Sequence, residues 1–152
     1  MKIYIMRHGE AGYSASLDST RPLTPVGEKQ CLSVANWLSE QQITFELGLV
    51  SPYLRAQQTY SIIAKAVPIS QTEKNPLLTP GGCASHVVDH LTMLALSGVK
   101  SVLIVSHLPL VGYLVNELCP HIAPPMFSTA DIACISLSQD SQGELEWFHH
   151  PV

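Results

Sequence analysis

Ser101-Val-Leu-Ile-Val105 is the most hydrophobic short run of the chain and reads as a central strand of a parallel sheet. A strand covered on both faces is apolar throughout instead of alternating, and parallel neighbours reach it only through crossovers. The rest of the pattern supplies them. Lys2-Ile-Tyr-Ile-Met6 and Phe45 to Val50 are further strands by bulk and β-branching. Between them Thr24 has the character of an N-cap with Pro25 at the first helical position, and Cys31, Val34, Ala35 and Leu38 follow at i, i+3, i+4 and i+7. Ser51-Pro52 repeats the cap-then-proline signature ahead of a helical face of Ala56, Tyr60, Ile63, Ala64 and Val67. Ile69 to Glu73 reads as a short edge strand, Thr79 to Gly82 as a loop, and Val87, Leu91, Leu94 and Ala95 as the stripe of a third helix. A fourth helix spans Pro109 to Leu118 and is stopped by Pro120. Ile132 to Leu137 and Leu145 to Phe148 form a terminal hairpin or two edge strands around Asp140 to Gly143. Alternating β and α units imply an α/β fold, a three-layer α/β/α sandwich with a mostly parallel central sheet. No repeat, low-complexity stretch or linker divides the chain, so one domain is expected over residues 1–152.

Composition narrows the partners. A net charge of −4 gives no long-range attraction to nucleic acid or to an anionic membrane surface, so neither is expected. Any positive potential must be local, drawn from eight Lys and Arg residues. Cys31, Cys83, Cys119 and Cys134 contain no CxxC pair and read as small buried hydrophobes in a reducing compartment. The N-terminus enters a strand directly and no run is long enough to span a bilayer, so the expected location is the cytoplasm.

Three of these strands end in polar residues that packing alone does not require: Arg7-His8-Gly9-Glu10, Ser51-Pro52 followed by Arg55, and Ser106-His107. In a parallel sheet such ends share one edge, where open α/β folds bind ligands. Two arginines and two histidines therefore meet in one crevice. Guanidinium groups grip phosphate oxygens bidentately, and a neutral imidazole nitrogen is a competent nucleophile when the other ring nitrogen is held as a donor. Gly9 lets backbone approach that second nitrogen or the phosphate. Arg55 lies in the first turn of its helix, where the helix N-terminus adds to the positive field. His107, when protonated, stabilises charge on a transferring group.

The block Arg7-His8-Gly9-Glu10 resembles the signature of the histidine phosphatase (phosphoglycerate mutase-like) superfamily. Arg21-Pro-Leu-Thr-Pro-Val-Gly27, Ser51-Pro-Tyr-Leu-Arg-Ala-Gln-Gln-Thr59 and Ser106-His107 follow in that family's order. Ser106-His-Leu-Pro-Leu-Val-Gly-Tyr-Leu-Val115, Pro124-Pro-Met-Phe127 and the short length are similar to the SixA-type phosphohistidine phosphatases. The likeness runs from Lys2 to about Trp147. It implies that His8 becomes phosphorylated, that Arg7, Arg55 and His107 bind the phosphoryl group, and that Arg21 helps form the phosphate pocket together with Gly9.

Many larger members carry a carboxylate general acid between the third strand and third helix, often beyond a helical insertion. Leu77-Leu-Thr-Pro-Gly-Gly82 stands there instead, with neither carboxylate nor insertion. Glu10 and Asp89 are weak substitutes for that acid, and Glu10 can equally serve as the partner of a nearby arginine. An alkoxide needs a proton to leave, and a positioned acid is worth roughly 10²–10⁴-fold, whereas protonated imidazole leaves phosphorus readily. The expectation is therefore a phosphatase for phosphohistidine on a protein, such as a histidine phosphotransfer domain or a phosphocarrier. A phosphatase or mutase for small phosphomonoesters and a non-catalytic phosphoprotein-binding pseudoenzyme are the alternatives. No cofactor and no metal are expected. His86 and His90 have the i, i+4 spacing of a zinc pair, but a partly exposed helix face explains them as well. His149-His150 reads as a solvated tail.

Overall fold

The computed structural model describes residues 1–140 and 142–152. Six strands are present: β1 Lys2–Arg7, β2 Phe45–Val50, β3 Ile69–Lys74, β4 Ser101–Ser106, β5 Ile132–Leu137 and β6 Gly143–His149. The helices are α1 Pro25–Glu40, α2 Leu54–Ala66, α3 Ala84–Leu96 and α4 Leu110–Leu118. The strands make one sheet in the order β3-β2-β4-β1-β5-β6, in which the first four are parallel and the last two antiparallel. The expected three layers and mostly parallel sheet are present. No inserted helical subdomain lies between β3 and α3; a 3-10 turn at Pro76–Leu78 and a short loop join them.

Val102, Leu103, Ile104 and Val105 of β4 are fully buried, and they alternate between two cores. Val102 and Ile104 pack with Ile3, Ile5, Leu91, Leu114 and Phe127 on the α3–α4 side. Leu103 and Val105 pack with Tyr4, Met6, Val34, Leu38 and Ile63 on the α1–α2 side. Each such side chain contributes roughly 1.5–3 kcal/mol by leaving water, which is why the least polar run takes the centre.

Local signals differ in how well they mark the elements. Thr24 caps α1, its hydroxyl oxygen accepting from Gly27 N at 3.0 Å, with Pro25 at N1. Ser51 does not cap α2. That helix starts at Leu54 after Tyr53, with no side-chain cap; the buried Ser51 hydroxyl accepts from Tyr53 N at 3.2 Å, ahead of the helix, and meets His107 Nε2. Ala64 is exposed rather than on the buried face, and in α3 only Val87 and Leu91 are fully buried. β5 is an interior strand between β1 and β6, so only β6 forms that edge. Ser141, within the expected turn from Asp140 to Gly143, lies outside the described residues.

The register sets up the site. Arg7 pairs with Ser106 across β1 and β4, and Val50 pairs with Val105 across β2 and β4. His8, Ser51 and His107 therefore leave the sheet side by side.

Candidate active site

His8 is 6% exposed, with its Nδ1 2.7 Å from the Gly9 carbonyl and its Nε2 3.2 Å from Arg55 Nε. A carbonyl only accepts and a guanidinium only donates, so Nδ1 carries the proton and Nε2 the lone pair. Burial, followed by the nearby arginines, pushes the His8 pKa down to about 4 in spite of the Gly9 hydrogen bond. A neutral imidazole with a lone pair directed into a cationic crevice can attack phosphorus.

Gly9 serves the nitrogen rather than an anion. Its N–H donates to Thr59 Oγ1 at 3.1 Å, which leaves its carbonyl to orient His8. A Cβ there would stand 2.7 Å from Cys31 Sγ and 2.8 Å from the Gly27 carbonyl, so only glycine lets β1 run this close to α1. Thr59 in turn donates to the Arg55 carbonyl one helical turn back, at 2.8 Å. It ties the start of α2 to the end of β1.

Arg7 and Arg55 present themselves differently. Arg7 NH1 donates to the Phe127 carbonyl at 2.9 Å, while its Nε is buried without a partner among the described residues. Arg55 is 4% exposed and has every donor group engaged. Beyond the bond to His8, its NH1 donates to the Asp18 carbonyl at 2.7 Å and its NH2 to Asp18 Oδ2 at 3.3 Å. Asp18 Oδ1 also accepts from Arg21 NH1 at 3.0 Å, and Arg21 Nε holds the Gly12 carbonyl at 2.8 Å. Arg21 packs over the Tyr13 ring. These arginine contacts, the Arg21 hydrogen bond first, hold the Asp18 carboxyl below its usual range.

His107 is 1% exposed; its Nε2 lies 2.7 Å from Ser51 Oγ and its Nδ1 is buried without a partner. Its ring centroid is 5.0 Å from that of His8. Burial first, then His8 and Arg55, press its pKa down to about 3. His107 is thus neutral near pH 7, and a nearby dianion would favour its protonation. Two orphaned polar nitrogens in one buried, positive corner have the character of a site for a polyoxygenated anion.

The structure brings His8, Arg7, Arg55 and His107 together, with Arg21 one carboxylate away. Glu10 is apart from this group: its Oε2 accepts from Thr24 Oγ1 at 2.6 Å, at the cap of α1. Neither arginine holds it. His90 Nε2 lies 3.5 Å from Glu73 Oε2, and no group of three or more potential metal ligands occurs among the described residues. The tail is not free in solvent: the His149 ring stacks on Trp37 at 3.8 Å, and His150 Nδ1 is 2.8 Å from Asp131 Oδ1. Sequence reasoning missed Asp18, Thr59 and Asp131 and took Ser51 for a cap. The i, i+3 spacing of Asp18 to Arg21 and the i, i+4 spacing of Arg55 to Thr59 were available signals; Asp131 had none.

With this geometry in hand, the comparisons are consistent. Residues 3–78 match the histidine phosphatase superfamily (branch 1). The chain is 46% identical over 152 residues to the phosphohistidine phosphatase SixA of Escherichia coli strain K12, covering 99% of this chain and 94% of that protein. It is 44% identical over 141 residues to a SixA homolog of Haemophilus influenzae, covering 88% and 86%. A solved structure of the protein histidine phosphatase SixA complexed with tungstate superimposes with a TM-score of 0.96 at 46% identity, over 99% of this chain and 97% of that one. The chain belongs to the histidine phosphatase superfamily.

Proposed function

We propose that this chain is a protein phosphohistidine phosphatase working through a phosphorylated His8. The observation that carries the reading is the His8 tautomer: Nδ1 held by Gly9, Nε2 bare and faced by Arg55. In the first step Nε2 attacks phosphorus in line, a P–N bond forms to His8, and the P–N bond to the substrate imidazole breaks. That imidazole, already protonated on its other ring nitrogen when it binds, departs as a neutral ring. Water then attacks phosphorus, the bond to His8 breaks, and inorganic phosphate leaves. Arg7, Arg55 and His107 neutralise the equatorial oxygens throughout, and preorganised donors of this kind are worth roughly 10²–10³-fold each. Arg21 steadies the pocket through Asp18.

Two features support a protein-borne phosphohistidine. The segment from Asn75 to Cys83 carries no carboxylate to protonate an alkoxide. The segments holding the arginines also leave large apolar side chains exposed: Tyr13 and Leu17 before Arg21, Leu54 before Arg55, and Met126 before Phe127. Such a rim suits a folded partner, a histidine phosphotransfer domain or a phosphocarrier. The relatives' names and the tungstate held by one of them point the same way. No helix among the described residues is long and apolar enough to cross a membrane; the cytoplasm, where such carriers reside, is the proposed location.

The test compares kcat/KM for phosphohistidine on folded carriers with that for phosphoserine and small monoesters, in one preparation near neutral pH. The expected outcome is a large preference for phosphohistidine that survives exhaustive chelation. Equal turnover of a small ester would transfer the assignment to a phosphatase for small phosphomonoesters.

A further inference from the structure

We propose that Asp131 is a positioning residue for Arg7, and that His150 at the end of the chain completes its support. The proposal rests on the phosphatase reading of the site, since it is the grip of Arg7 on an oxyanion that Asp131 would set.

Asp131 is completely buried, and both carboxylate oxygens have partners away from the arginine. Oδ2 accepts from Ser128 N at 2.7 Å, and Oδ1 lies 2.8 Å from His150 Nδ1. The first bond closes the turn from Phe127 to Asp131, which Asp131 N reinforces by donating to the Ser128 carbonyl at 3.1 Å. This turn holds the end of β1 at three points. Phe127 O receives Arg7 NH1 at 2.9 Å, Asp131 O receives Arg7 N at 3.0 Å, and Ala130 N donates to His8 O at 3.0 Å. The loop is therefore the surface on which the arginine and the histidine are mounted.

The turn does not hold itself. Ala130 is buried at φ +64°, a left-handed conformation that alanine adopts only when its surroundings over-determine it. The Asp131 carboxylate, on the neighbouring residue, supplies that constraint. Its charge also opposes the fall in Arg7 basicity that burial produces. His150 shields one oxygen from solvent, and the Trp37–His149 stack fixes the strand that delivers it. The last residues of the chain thus reach the phosphate site through Asp131.

The sign of the effect separates positioning from simple charge. A carboxylate acting on the anion only through space would repel it, so neutralising that carboxylate would tighten oxyanion binding. A carboxylate that holds Arg7 in place has the opposite consequence. Asp131→Asn keeps an acceptor for Ser128 N and turns an amide N–H towards His150, whose proton moves to Nε2, while deleting the charge. Tungstate affinity by calorimetry and kcat/KM on a phosphohistidine carrier are measured in four proteins: wild type, Asp131→Asn, Arg7→Ala and the double variant, with Tm as the fold control. Expected is about a tenfold loss in both readouts for Asp131→Asn, shrinking below about twofold in the Arg7→Ala background. Tighter or unchanged tungstate binding, or an equal loss in both backgrounds, would overturn the proposal. Should Asp131→Asn not fold, His150→Ala, whose side chain is mostly exposed, decides the matter by the same cycle, with about a threefold loss expected. Failure of wild type itself to bind tungstate or turn over phosphohistidine would instead count against the function proposed above.

Discussion

Each of the two arginines proposed to grip the phosphoryl group has an aspartate in its surroundings, and the two aspartates are opposites. Asp131 sits behind Arg7, wholly buried, with its oxygens tied to backbone and to the chain terminus. Asp18 sits in front of Arg55, with its side chain 56% exposed, bonded to the guanidinium groups themselves. Arg7 thus has a buried nitrogen without a partner among the described residues and would bind phosphate without releasing a side chain. At Arg55 an anion would compete with the Asp18 carboxylate. On this reading one aspartate braces the site and the other stands where a ligand would bind. Burial depth and bonding partner, rather than residue type, decide which.

The largest test of this contrast removes the arginines. Arg7→Ala and Arg55→Ala should each lower kcat/KM by roughly 10²–10³-fold, the usual cost of deleting a preorganised charged donor. They should differ in pH dependence. Arg55 lies against His8 Nε2 and depresses its basicity more than Arg7 does. Arg55→Ala should therefore move the acid limb of kcat/KM upward further than Arg7→Ala; identical profiles would break the comparison.

A smaller effect is expected in front of the site. Asp18→Asn should tighten tungstate binding about threefold, since exposed ion pairs are worth at most about 1 kcal/mol and the carboxylate competes with the anion. Weaker binding would mean that Asp18 orients Arg55 and that both aspartates are braces. Titrating tungstate into Asp18→Asn by calorimetry reads the sign directly.

The smallest change expected is in the acid dependence of the wild type. With the His8 pKa near 4, kcat/KM should fall less than about twofold from pH 7.5 to 5.5, where an ordinary histidine would be about 90% protonated. Stability should behave otherwise. Both site histidines have folded values, about 4 and about 3, below their unfolded value of 6.5. Between those limits the unfolded chain binds protons that the folded chain refuses, so stability falls as pH drops from about 6.5 towards 3. Each histidine contributes roughly 1.4 kcal/mol for every pH unit over which it alone stays neutral. Urea midpoints at pH 7, 5.5 and 4.5 check it; a flat profile would mean that the pair titrates normally.

Much of this was legible in the sequence because strands that end in charged residues have few alternatives. The apolar run to Val105 fixed the sheet centre, and the polar ends of three strands named His8, Arg55 and His107 before any geometry was known. Thr24-Pro25 was a true cap: its hydroxyl oxygen accepts from Gly27 N while its proton goes to Glu10 Oε2. Ser51-Pro52 carried the same signature and misled, since a buried histidine 56 positions later claims that hydroxyl. Asp131 was invisible, and the role of Asp18 beyond its spacing to Arg21 was hidden, for a related reason. Their roles come from loops folding back on the sheet edge, and loop contacts leave no periodic trace. The expected solvated tail failed similarly: an aromatic partner and a buried carboxylate lie far away in sequence, at Trp37 and Asp131.

The central claim is that His8 Nε2 takes the phosphoryl group. The most direct measurement mixes the enzyme with a ³²P-phosphohistidine carrier, quenches in alkali within milliseconds, and maps the label by peptide. The account predicts transient label on the peptide containing His8, decaying as inorganic phosphate appears, and none in His8→Ala, which should be folded and inactive. Full turnover by folded His8→Ala, or phosphate release from wild type with no labelled enzyme at any time, would contradict it.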